Sequence, residues 1–171
     1  DIGGVENQQP PLSATSRADS FHGLPCRAMK QAEIQETIQL FADGARRARL
    51  AGLDGVELHA GNGYLFTQFL SSAINDRRDA YGGPLANRAR FLLEVVAAIR
   101  QEVGNDFHLQ VKLNGVDRNN ALFFWQRQGN SLAETIQLCR WLEAAGVDAL
   151  HITTGSIFPH PQNPAGGFPL D

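Results

Sequence analysis

Hydrophobic positions recur along the chain with two different periods. From about Lys30 to Ala51, Ile34, Ile38, Phe41, Ala45 and Ala48 fall at spacings of three and four, with Glu33, Glu36, Arg46 and Arg47 largely off that face. The spacing predicts a helix with one apolar side, and Gly52 stands where a left-handed cap is needed. The short run Gly55 to His59 suits a strand. A second helix is expected from about Pro84 to Val103, with Leu85, Phe91, Leu92, Val95, Val96 and Ile99 inward and Gly104 closing it. Proline suits a first helical turn, where a missing N–H costs nothing. Phe107 to Leu113 alternates and predicts a strand. A third helix is expected from Ser131, with Glu134 at capping-box spacing and Ile136, Cys139, Leu142 and Ala145 on one face. Gly146 ends it, and Val147 to Thr153 is read as another strand. Residues 1–29, rich in Pro, Gly, Ser and Gln, show neither period and form a loop-rich lead-in.

Helices alternating with strands favour an α/β fold with a parallel sheet. An internal repeat sharpens this. Ala51-Gly52-Leu53-Asp54-Gly55-Val56-Glu57-Leu58 resembles Ala145-Gly146-Val147-Asp148-Ala149-Leu150-His151-Ile152. Each segment ends a helix on glycine, turns through Asp and enters a strand. A repeated unit of this kind is expected of a (β/α)8 TIM barrel, and less often of a doubly wound sheet. Three strands make under half of a barrel. Residues 30–171 are therefore expected to form a partial TIM barrel, roughly its middle strands, with both ends missing.

Composition narrows the class. With 43% apolar and 19% charged residues among 171, wholesale disorder is excluded. No apolar run approaches ~18 residues, so no membrane helix is expected. The first residues lack the apolar core of a secretory signal. A net charge of −3 with scattered signs gives no footprint for nucleic acid. Cys26 and Cys139 lie far apart and outside metal-ligand spacing, which excludes a disulfide framework and suits a reducing, cytoplasmic location. No metal site is expected.

Barrel chemistry sits where strands end. His59-Ala60-Gly61-Asn62-Gly63-Tyr64 places an imidazole, a carboxamide and a phenol within six residues. Imidazole and amide N–H groups can bind a developing oxyanion, and a phenol can deliver a proton. The same residues could instead cap a strand, support a turn and pack in a core. Lys112, ending its strand, could meet an anion or an electron-rich ring, or reach outward to solvent. Asn75 to Gly83 is a dense polar loop whose Asp76 and Asp79 share it with Arg partners, which suits a loop-ordering network better than a glycosidase pair. His151, Thr153 and Thr154 suit a pocket wall. His22, His108 and His160 have no partner spacing.

The stretch Ala51 to Phe91, AGLDGVELHAGNGYLFTQFLSSAINDRRDAYGGPLANRARF, closely resembles the Old Yellow Enzyme family of FMN-dependent NAD(P)H:flavin oxidoreductases and ene-reductases. The likeness extends through Val111 to Asn114 (VKLN) and LEAAGVDALHITTGSIFPHPQNPAG. The resemblance implies a TIM barrel with FMN at the strand C-termini and NAD(P)H as reductant. It implies that His59 and Asn62 hydrogen-bond the carbonyl oxygen of an electron-poor alkene. Tyr64 then corresponds to the proton donor to the α-carbon, and Lys112, with His59, to residues beside the flavin. The stretch from Asn75 to Phe91 corresponds to a signature whose role is chiefly structural.

The sequence also departs from the family pattern. Pro84 and Ala86 stand where Ser and Glu are common. Gly115 to Asn130 is longer than in near relatives, and Leu122-Phe123-Phe124-Trp125 suits a pocket lid or a packing contact. The chain alone is expected to bind FMN poorly and turn over little. The alternatives are a non-catalytic half-barrel remnant or binding module, or a relative acting on dienoyl-CoA or amine substrates. The partners implied are a small-molecule alkene and, in an intact parent, further copies of itself.

Overall fold

The computed structural model describes residues 10–18, 25–117 and 129–153. Its elements, in chain order, are β1 (Leu12–Ser13), β2 (Arg27–Ala28), α1 (Gln31–Leu50), β3 (Gly55–Ala60), α2 (Leu65–Leu70), α3 (Leu85–Val103), β4 (His108–Asn114), α4 (Leu132–Ala144) and β5 (Ala149–Thr153). The strands β3, β4 and β5 form one parallel sheet in sequence order, and β1 pairs with β2 in a separate two-stranded piece. Parallel strands joined by helices are the barrel's repeating unit.

The repeated segments adopt the same geometry. Ala51 and Ala145 close their helices at nearly identical angles, φ −77°, ψ −1° and φ −81°, ψ −1°. Gly52 and Gly146 follow at φ +83° and +88°. The two turns then bond to β4 in complementary ways. The N–H of His108 donates to the Asp54 carbonyl, and that of Asp148 donates to the Leu109 carbonyl, each at 2.9 Å.

Side chains alternate across the sheet. Leu58, Ala60, Leu109, Val111 and Leu113 are buried against the helices. Phe91 of α3 sits at the centre of that layer, its ring centroid 5.1 Å from Phe66 and 4.7 Å from Phe69 of α2. Glu57, His59, Gln110, Lys112 and His151 take the opposite face, which is exposed or half-exposed. The sheet thus has one oily face and one polar face, and the polar face carries the candidate chemistry.

Several details differ from the periodicity reading. Pro84 is the residue before α3, with extended backbone, and the helix begins at Leu85. The capping box expected of Ser131 and Glu134 is present, the Ser131 hydroxyl accepting the Glu134 N–H while Glu134 reaches back to the Ser131 N–H, but Ser131 itself stands just outside the helix, which begins at Leu132. Within the lead-in, β1 and β2 form a short parallel pair where loop was expected. Ile136 does not join the core. The inward face of α4 is Thr135, Leu138 and Leu142, and Ile136 lies one position off it, 45% exposed. The six-residue α2 was not expected, because so short a segment carries less than two helical turns of periodicity.

The polar loop 75–83 is an ordering network, as its charge pattern suggests. Arg77 pairs with Asp79 through two nitrogens at 3.1 and 2.6 Å and donates to the Met29 carbonyl at 2.8 Å. The Asn75 amide donates to the carbonyls of Phe69 and Tyr81, at 2.6 and 2.8 Å. Arg17 of the lead-in meets Asp76 at 3.1 Å. Leu122 to Trp125, His22, Thr154 and His160 lie outside the described residues.

Candidate active site

The loop leaving β3 is bent by its own sequence. Asn62 holds φ +61° and Gly63 φ +91°. Asparagine tolerates the left-handed region better than other residues with a Cβ, and glycine has no penalty there. Three bonds lock the bend. The Asn62 N–H donates to Asn114 Oδ1 at the end of β4, at 3.0 Å. The Gly63 N–H donates to Thr67 Oγ1 at 3.3 Å, and that buried hydroxyl donates to the Ala60 carbonyl at 3.0 Å. The chain then enters α2 with Tyr64 as its N-cap residue.

This path brings the His59 and Tyr64 rings together, edge to face, with centroids 4.9 Å apart and planes at 72°. Tyr64 remains 47% exposed, so its phenol is accessible on the polar face. Lys112 stands directly opposite His59 in the β3–β4 register. His59, Tyr64 and Lys112 are therefore neighbours. Asn62 lies between the two rings in sequence. Its Oδ1 is buried and has no hydrogen-bond partner among the described residues, which leaves that end of the carboxamide unpaired.

Electrostatics on this face favour a neutral imidazole. Partial burial, followed by repulsion from Lys112, holds the His59 ring below the ordinary histidine range, and Glu57 opposes that shift. A neutral ring still offers one N–H for a hydrogen bond. Glu57 lies below the ordinary carboxylate range because the Gln110 amide and His151 donate to it, with Lys112 adding charge attraction. Cys139 on α4 is half-buried and its thiol is pushed up by burial, so it carries no nucleophile for this site. Among the described residues no group of three or more His, Cys, Asp or Glu is arranged to hold a metal ion, and no helix is long and apolar enough to cross a membrane.

Two contributors escaped the sequence reading. Asn114 acts through an oxygen that meets a backbone 52 residues away, so no local spacing marks it. Glu57 shares the face of His59 by simple alternation, a signal that was available in Glu57-Leu58-His59.

A sequence model described as the NADH:flavin oxidoreductase / NADH oxidase family matches residues 5–166. The chain is 37% identical over 152 residues to an NADH oxidase of Thermoanaerobacter brockii, covering 89% of this chain and 22% of that protein. It is 37% identical over 145 residues to a cinnamate reductase of Clostridium sporogenes, covering 78% and 21%. Among solved structures, a 2-naphthoyl-CoA reductase in complex with 2-naphthoyl-CoA superposes with a TM-score of 0.78 at 39% identity, over 86% of this chain and 22% of that one. The chain spans less than about two fifths of the length of the curated relatives it matches. The parallel sheet with its helices is accordingly part of a TIM barrel. On the match to residues 5–166, the chain belongs to the NADH:flavin oxidoreductase / NADH oxidase family, that of the Old Yellow Enzymes, which works with FMN and NAD(P)H.

Proposed function

We propose that this chain supplies the substrate-activating residues of an enzyme that reduces carbonyl-conjugated alkenes. The carrying observation is the edge-to-face contact of His59 and Tyr64, 4.9 Å between centroids, with Lys112 in register beside His59. The residues present fit a flavin: the Lys112 ammonium, a donor only, suits the electron-rich edge of the ring, and a neutral His59 imidazole adds no second charge beside it. Lys112 and His59 would hold it, and when bound it supplies a hydride to the β-carbon of the alkene.

The chain's own residues do the rest. His59 and Asn62 donate hydrogen bonds to the substrate carbonyl oxygen and stabilise the negative charge that grows there. Donors already aimed at that oxygen need no reorganisation as the charge develops, and losing one such donor typically costs ~10²–10³ in rate. Tyr64 gives its phenolic proton to the α-carbon, so the saturated product leaves neutral. Its accessible edge lets water return the proton. The cinnamate reductase relative is named for a substrate whose alkene is conjugated to a carboxyl carbonyl, which supports this substrate class.

Tyr64→Phe in a full-length enzyme containing this segment tests the reading. General-acid catalysis is worth ~10²–10⁴, so alkene reduction should slow by that factor. The reduction of the flavin by NAD(P)H should keep its rate. Stopped-flow measurement of the two half-reactions separates them, and equal slowing of both would refute the proton-donor role.

A further inference from the structure

The polar face of the sheet carries more than the residues just assigned. His59, Lys112 and His151 stand opposite one another across β3, β4 and β5. Glu57 and Gln110 form the row beneath them, two residues nearer the strand starts. The Glu57 carboxylate does not stay in its row. It accepts a hydrogen bond from the Gln110 amide and meets His151 Nδ1 at 3.0 Å, two strands away. Neighbouring strands are ~4.8 Å apart, so this contact crosses the whole width of β4 and brackets Lys112. Glu57 is also the one carboxylate in the sequences of these three strands.

We propose that Glu57 and His151 are positioning residues of the cofactor-facing row: the carboxylate holds the imidazole by Nδ1, leaves Nε2 for the ring of the bound flavin, and counterbalances the charge of Lys112. The inference rests on the reading of the site as flavin-binding for the identity of that ring. An ionised carboxylate only accepts hydrogen bonds, so Nδ1 must carry the proton. His151 is thereby fixed in one tautomer and one orientation, the usual service of a carboxylate behind a working histidine. The groups facing His59 are then Glu57 from its own strand, Lys112 from β4, His151 from β5 and the Tyr64 phenol at the start of α2. Glu57 pulls the His59 titration up, while Lys112 and His151 push it down.

Ring-nitrogen NMR of a full-length enzyme containing this segment, freed of flavin, tests this without alkene. At high pH, His151 should show the tautomer protonated on Nδ1, the opposite of the form that free histidine favours. Glu57→Gln keeps the shape and removes the charge, and should move the His59 midpoint down by about half a pH unit, the size of one screened charge. His151→Gln should move it up. Glu57→Asp, which keeps the charge, should stay near the parent value. A merely structural pair would give no such ordered signs. An Nε2-protonated His151, or a His59 midpoint unmoved by both neutral substitutions, would overturn the proposal. The tautomer is read on the unsubstituted chain, so it decides the matter where a variant does not fold. Failure here leaves the Tyr64→Phe test standing, and failure there leaves this titration standing.

Discussion

At the scale of single residues, the site depends on one backbone conformation. Among the described residues Asn62 alone combines a Cβ with a positive φ. Its backbone role and its amide role can be separated. Asn62→Gly keeps the left-handed turn and removes the carboxamide, whereas Asn62→Ala removes both advantages. A left-handed residue with a Cβ costs about 1–2 kcal/mol, so the alanine variant should be less stable than the glycine variant by about that much in urea unfolding. Both should bind the alkene carbonyl equally poorly. The candidate residues stand out in the sequence because His59 and Lys112 lie near the ends of their strands and Asn62 and Tyr64 just beyond one, where a barrel places its working groups. Asn114 was not legible as the acceptor that holds Asn62, because hydrogen bonds between distant strands leave no periodic trace. Glu57 escaped for a different reason. An acidic residue in a half-apolar strand reads as a solvated position until the cross-strand partner, His151, is in view.

At the scale of elements, Arg88 is the clearest organiser. Its side chain is 4% exposed, within the Asn87-Arg88-Ala89-Arg90-Phe91 signature. It donates to the carbonyl of Gly83 before α3, to that of Leu70 ending α2, to the Asn130 side chain and to Glu134 in the cap of α4. One guanidinium thus ties three helix ends together, in keeping with the structural role that the resemblance implies for this stretch. Arg88→Ala leaves those acceptors without their donor. Breaking a buried pair costs about 3–5 kcal/mol, and Glu134, 33% exposed, recovers some hydration, so about 3 kcal/mol is expected in chemical denaturation. The helices α1, α3 and α4 were legible from their apolar spacing and glycine stops. The inward face of α4 was misjudged at Ile136, because Thr135 faces the core and hides the true stripe from a purely hydrophobic count.

At the scale of the whole molecule, the sheet divides the chain into an apolar side, covered by helices over β3 and β4 but exposed at Leu150 and Ile152 of β5, and a polar side that carries the candidate site. The repeat Ala-Gly-x-Asp was enough to suggest this architecture, since the same turn occurs twice with the same angles. The lead-in is fastened by charge. Arg27 meets Glu33 through two nitrogens at 2.9 and 2.6 Å, and Glu33 also accepts the Lys30 N–H at the start of α1. These bonds, the Arg27 pair first, bring the Glu33 carboxyl down to about 2 from 4.5. A depressed carboxylate stabilises the fold above its unfolded value and loses that contribution as pH falls through its folded value. The thermal midpoint advantage of the parent over Glu33→Gln should therefore be full above 4.5 and fade between 4.5 and about 2. Melting curves across that range check the sign. The floor of the site has a further consequence for anyone who would re-engineer it. A methyl group added at Gly61 would lie 3.1 Å from both Asn114 Oδ1 and Thr153 Cγ2. That position is packed closely against two side chains at strand ends, which must give by a few tenths of an ångström to admit the group. Bulk added at Gly61 therefore presses on the same Asn114 oxygen that accepts the Asn62 N–H, and would be felt first in the bend that carries the candidate carboxamide.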